Sequence, residues 1–90
     1  MSAPLRIPDD VVFEVLGEDT VLLQLESGDY FTLNGSATRA WQLIEEHGDL
    51  DRVREAMLAE YEVAEAELSA DLDRLVGELV GRGLLARSSG

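Results

Sequence analysis

The hydrophobic pattern of this chain changes period once, at Asn34, and that change limits what it can fold into. Before Asn34, short β-branched and aromatic runs alternate with turn clusters. After it, apolar residues recur every three or four positions. Val11–Leu16 ends at Gly17-Glu18-Asp19, Thr20–Leu25 ends at Glu26-Ser27-Gly28-Asp29, and Tyr30–Leu33 follows directly. Tight turns between three short runs predict an antiparallel meander. In the second run Val21, Leu23 and Leu25 share one face, while Leu22 and Gln24 share the other.

The second half reads as three helices. Ala37, Ala40, Trp41 and Ile44 form one helical stripe, with Asn34 or Ser36 as its cap and His47-Gly48 as its end. Asp49 is placed to cap a second helix that buries Leu50, Val53, Met57 and Tyr61. Leu68, Leu72, Leu75 and Leu79 mark a third, broadened by Val76 and Val80 and closed near Arg82-Gly83. Leu84 and Leu85 are expected to pack back on the core. Met1–Pro8 reads as an arm with a short extended piece at Leu5–Ile7, and Arg87–Gly90 as a frayed tail. Strands followed by helices predict an α+β fold, a winged helix-turn-helix with a three-stranded antiparallel sheet first. The 90 residues make one domain, with its core spanning about 9–85.

Composition removes whole classes of function. Nineteen acidic against seven basic residues give a net charge of −12. Such a surface repels nucleic-acid backbones and anionic membranes and attracts basic peptides or protein patches. There is no cysteine and a single histidine, His47, so a zinc site has no ligand set. His47 precedes Gly48, where a cation suits a helix C-terminus. Glu60, Glu62, Glu65 and Glu67 lack the glycine and alternating oxygens of a calcium loop and read as a solvated face. No phosphate cradle or nucleophile–base pair is present, so neither an enzyme nor a cofactor is expected. The absence of a membrane-length apolar run or signal core points to a cytoplasmic chain.

Two places remain for binding. The strand Tyr30–Leu33, with Asp29 beside it, forms one edge of the meander and is open if the amino arm covers the other. A peptide could extend the sheet there, or Asp29 could simply guard the edge. On the third helix, Glu67, Asp71, Arg74 and Glu78 run beside the leucine stripe. They read either as a charged surface or as one wall of a groove floored by Leu68, Leu72 and Leu75. The residues alone leave both questions open.

The stretch Val21–Asn34, followed by Ala37, Ala40-Trp41 and Leu43, resembles the PqqD-like family. So do Tyr61-Glu62-Val63, Leu68-Ser69-Ala70-Asp71-Leu72 and Leu79–Leu85, and the likeness runs from about Val11 to Leu85. It implies a recognition element for ribosomally made precursor peptides, whose leader adds a strand to the third strand beside the third helix. The residues implied are Asp29, Tyr30, Phe31, Thr32 and Leu33 on the strand, and Glu67, Leu68, Asp71, Leu72 and Leu75 on the helix. Asp71 matches a recurrent acidic position of the family, and Leu33 and Leu72 are the expected core members. The stand-alone length suggests a carrier that presents its precursor to separate enzymes. These are a leader peptidase and cyclase of a lasso-peptide pathway or, alternatively, a radical-SAM enzyme of pyrroloquinoline quinone synthesis. A winged-helix DNA-binding regulator is the third reading, which the charge disfavours.

Overall fold

The computed structural model describes residues 4–87. Met1–Ala3 of the expected arm and Ser88–Gly90 of the expected tail lie outside them. The elements are β1 (Leu5–Arg6), β2 (Val11–Leu16), β3 (Asp19–Gln24), β4 (Tyr30–Asn34), α1 (Ser36–His47), α2 (Leu50–Glu60), α3 (Glu65–Gly81) and β5 (Ala86–Arg87). The three-stranded antiparallel sheet β2-β3-β4 precedes the three helices, so the α+β, winged-helix-like architecture is as expected.

The sheet faces the helices with its even β3 positions. Thr20, Leu22 and Gln24 are buried, whereas Val21 and Leu23 are half-covered on the outer face. Thr20, Gln24 and Thr38 all find partners, as the low dielectric of a core demands. The Thr38 hydroxyl of α1 donates to the Leu33 carbonyl at 3.3 Å, and the Thr20 hydroxyl donates to Thr38 Oγ1 at 3.1 Å. One pair of threonines thus ties β3, β4 and α1 together. Gln24 Nε2 donates to the Gly83 carbonyl at 2.9 Å, and its Oε1 accepts from the Glu26 N–H at 2.8 Å. This side chain fastens the end of β3 to the turn after α3.

Trp41 lies at the centre of the core, edge-on to Phe13 with centroids 5.3 Å apart. Burial of an aromatic this size is worth about 3–5 kcal/mol against alanine. That outweighs about 1–3 kcal/mol for its indole N–H, which finds no acceptor among the described residues.

The helices follow their stripes with local changes. Asp49 caps α2 as expected, Oδ1 accepting from the Asp51 N–H at 2.9 Å. Gly48 closes α1 in the left-handed conformation at φ 64°, and its carbonyl accepts the Leu5 N–H at 2.8 Å. A Cβ there would stand 3.2 Å from the Leu5 carbonyl oxygen, so glycine meets both a conformational and a spatial need. The cap of α1 is Gly35, without a side-chain hydrogen bond, rather than Asn34 or Ser36. Tyr61 is exposed, not part of the α2 stripe, because α2 ends at Glu60 and Tyr61 is already extended. On α3, Leu68, Leu72, Val76 and Leu79 are buried; Leu75 is half-buried, one position off the stripe. Leu84 and Leu85 do return to the core.

At the chain ends one condition is not met and one expectation is corrected. Among the described residues, the amino arm does not pair with the outer edge of β2. Its strand β1 pairs with β5, Leu5 opposite Arg87 and Arg6 opposite Ala86. Arg87 is therefore in a strand rather than frayed. The burial of Leu5 beside Leu84 and Leu85 in one core explains why the arm is drawn to that end. Among the described residues, the central sheet keeps both of its edges, β2 and β4.

Candidate functional site

The register of β4 determines which of its backbone groups are free. The Gln24 N–H donates to the Asp29 carbonyl at 2.8 Å, and the Gly35 N–H to the Glu18 carbonyl at 3.0 Å. Both continue the pairing in which Phe31 faces Leu22 and Leu33 faces Thr20. Bonded and unbonded pairs alternate along an antiparallel ladder. Asp29, Phe31, Leu33 and Gly35 therefore bond inward to β3, and Tyr30, Thr32 and Asn34 direct their N–H and C=O groups outward.

Side chains alternate in the same step. Leu33 is buried and Phe31 half-buried on the helix side, while Tyr30 and Thr32 stand on the outer face, Tyr30 at 71% exposure. Asp29 is exposed in the preceding turn, where its N–H donates to Ser27 Oγ at 3.3 Å. Phe31 is covered from the end of α3: the Arg82 guanidinium carbon lies 4.9 Å from the ring centroid. Arg82 also reaches Glu78 at 3.4 Å, and this contact holds the cation over the aromatic face.

Beyond β4 the chain enters α1, and an open cavity of about 380 Å³ begins there. Ser36, Ala37 and Ala40 of α1 line one side. Met57 and the extended Tyr61-Glu62-Val63 segment line the second, and Leu68, Asp71, Leu72 and Leu75 of α3 the third. The cavity exists because α1 presents alanines where its neighbours would otherwise meet larger side chains. Its walls are mainly apolar, and it has the volume of a small-ligand or side-chain pocket. The exposed Asp71 carboxylate stands at its rim, 3.5 Å from Arg74.

Of the residues singled out in the sequence, four on α3 line this one cavity: Leu68, Asp71, Leu72 and Leu75. Glu67 is exposed on α3 but does not line it. The five residues from Asp29 to Leu33 do not line it either. They lead to it along β4, Leu33 from within the core and Tyr30 and Thr32 from the free edge. Sequence reasoning missed Arg82, and it assigned Ala37, Ala40, Met57 and Tyr61 to packing alone. The small residues on the stripe of α1 were the available signal.

Next to the cavity-lining Tyr61, Arg39 of α1 clasps Glu60 at the end of α2. Nε and Nη2 donate to the two carboxylate oxygens, each at 2.8 Å. This hydrogen bonding lowers the Glu60 pKa and raises that of Arg39. His47 is exposed at the end of α1, 4.0 Å from Glu46. Among the described residues, no three His, Asp or Glu side chains are grouped to hold a metal ion, and no helix is long and apolar enough to cross a membrane.

Known proteins share this fold. No curated protein matches the sequence. The structure is similar to that of TbiB1 in complex with the TbiA(beta) leader peptide, at a TM-score of 0.87 and 32% identity, over 94% of this chain and 99% of that one. It is also similar to a lasso peptide synthetase B1 complexed with the leader peptide, at a TM-score of 0.83 and 26% identity, over 93% and 99% of the two chains. The family model for coenzyme PQQ synthesis protein D (PqqD) matches residues 19–85, well over half of the sequence. The chain therefore belongs to the PqqD family.

Proposed function

We propose that this protein captures the leader of a ribosomally made precursor peptide by strand addition to β4 and presents it to separate maturation enzymes. As a PqqD-family protein it is non-catalytic. The observation that carries the reading is the outward backbone of Tyr30 and Thr32 on a strand that runs into α1, whose first turn lines a largely apolar cavity shared with α3. Main-chain bonds to such an edge supply affinity, and side-chain pockets supply selectivity. Asp29, Tyr30, Phe31, Thr32 and Leu33 form the strand side of the site. Glu67, Leu68, Asp71, Leu72 and Leu75 form the helix side, with Leu33, Leu68 and Leu72 acting from the core. The cavity takes one bulky, mainly apolar leader side chain, and Asp71 meets a hydroxyl or cationic group at its rim.

The two solved relatives, both bound to leader peptides, favour a lasso-peptide pathway, with a leader peptidase and a cyclase as receiving enzymes. The PqqD family match keeps a radical-SAM partner in pyrroloquinoline quinone synthesis as the second reading. In either case we place the protein in the cytoplasm, acting through one domain of about residues 9–85. Calorimetric titration with leader peptides encoded beside the gene tests the proposal. Micromolar or tighter one-to-one binding, without turnover of the peptide, is expected. A flat response across all of those leaders rejects it.

A further inference from the structure

The other edge of the sheet, β2, has free backbone of its own. The Leu25 N–H donates to the Asp10 carbonyl at 2.8 Å, continuing the register in which Val12 faces Leu23 and Glu14 faces Val21. By the same alternation, Val12, Glu14 and Leu16 bond inward to β3, and Val11, Phe13 and Val15 point outward. The Val11 N–H is taken by the Pro8 carbonyl at 3.1 Å. Among the described residues, no strand pairs with the outward groups of Phe13 and Val15.

Natural edge strands are usually shortened, covered or guarded by charge. This one spans six residues, has Glu14 as its one charged side chain, and exposes Val12 at 46%, Val15 at 39% and Leu16 at 54%. Beside it, a shallow depression lies between the arm and α1, where Ile7, Pro8, Phe13 and Ile44 meet. Asp9 and Glu45 stand at its margin and Arg6 is the opposing cation. Asp10, Glu14 and Glu18 continue the acidic rim along the strand and its turn.

We infer that β2 is a second strand-docking site, distinct from β4, for an extended segment of another protein that alternates small apolar with basic side chains. The apolar side chains would cover Val12 and Leu16, which share the outer face of β2. The basic ones, on the other face, would answer Asp9 and Glu45 at the margin of the depression, within the acidic field of Asp10, Glu14 and Glu18, because complementary charge selects partner and register. A second copy of this chain is a poorer occupant, since it brings another −12 of charge. Two independent edges would let the protein hold a peptide on one side and a partner protein on the other.

The test is a titration of ¹⁵N-labelled full-length protein with the blocked heptapeptide Lys-Val-Lys-Val-Lys-Val-Lys, carried out without leader and in a Thr32→Pro background that closes β4. Saturable shifts and slowed amide exchange at Phe13 and Val15 are expected. Val15→Pro should weaken binding at least about tenfold through loss of an outward donor. Glu14→Lys should also weaken it, and it provides the test if the proline variant does not fold. The Glu-for-Lys peptide should not bind. No saturable response at Phe13 and Val15, equal binding of the Glu peptide, or amides already protected in the free monomer would overturn the inference. So would concentration-dependent dimerisation that protects the same two amides without peptide. None of these outcomes bears on leader binding at β4.

Discussion

The two edges of the central sheet, β2 and β4, carry the same unpaired backbone in opposite surroundings. On β4 the outward groups of Tyr30 and Thr32 lead toward a helix-walled cavity, and Phe31 is roofed by Arg82. On β2 the outward groups of Phe13 and Val15 adjoin only a shallow depression, and the apolar side chains around them are themselves exposed. A helix-walled, mainly apolar cavity rewards one particular side chain in a peptide. An open apolar strand rewards area and charge, which suits a protein surface more than a specific sequence. The contrast also separates two meanings of an edge: β4 runs into the helix whose first turn lines a cavity shared with α3, whereas β2 depends on its partner to cover it.

The largest effect should come from closing one edge at a time. Thr32→Pro removes an outward donor of β4 and leaves the inward ladder through Phe31 and Leu33 in place, so the fold should persist. Leader affinity is expected to fall by about a hundredfold or more, while Val15→Pro leaves it unchanged. Titration calorimetry, with circular dichroism as the check on folding, measures both. Equal losses from the two prolines would mean that the edges are not independent. Unfolding by Thr32→Pro would mean that β4 is held by its outer side as well.

A smaller effect should separate the cavity from the strand. Ala37→Phe fills the space between α1 and α3, and Asp71→Arg reverses the charge at its rim. The filled cavity should cost leader affinity about tenfold, the price of one lost apolar side-chain pocket. The exposed rim charge should cost about fivefold, and less at high salt. Neither substitution should alter peptide binding at β2. If Asp71→Arg leaves leader affinity unchanged, Asp71 belongs to a solvated face and its contact with Arg74 is its only partner at the site.

The architecture was legible in the sequence because the hydrophobic period changes once, at Asn34, and because Asp49 and Gly48 are strong helix-end residues. Subtler features were not. Alternation put Val21, Leu23 and Leu25 on one face and Leu22 and Gln24 on the other, but it could not say which face turned inward. The answer depends on Gln24 finding the Gly83 carbonyl, 59 residues away. The true partner of the arm was hidden because so short an extended piece shows no period, and its pairing with Ala86–Arg87 follows from tertiary packing. Outward parity on β4 was equally hidden, since the period of a strand sorts side chains and not backbone donors. The cavity appeared in the sequence only as alanines on a helix stripe, which most often mean close packing.

The smallest expected effect concerns the clasp on the cavity side of the molecule. Arg39 and Glu60 hold the end of α2, and with it Tyr61, against α1; among the described residues, β2 has no comparable ion pair. Hydrogen bonding from Arg39 lowers the Glu60 pKa in the folded protein. A carboxylate whose folded pKa is depressed adds stability that is fully present above its unfolded value and lost as pH falls through the folded one. Thermal melts of wild type and Arg39→Ala should therefore differ at neutral pH, with the variant lower. The two should converge in acid, below the ordinary glutamate range, where Glu60 is protonated. Both groups are well exposed, so the gap at neutral pH should be small and should close with added salt. A gap that persists in acid would mean that Arg39 acts through packing, and that the cavity side is held by contacts rather than by charge.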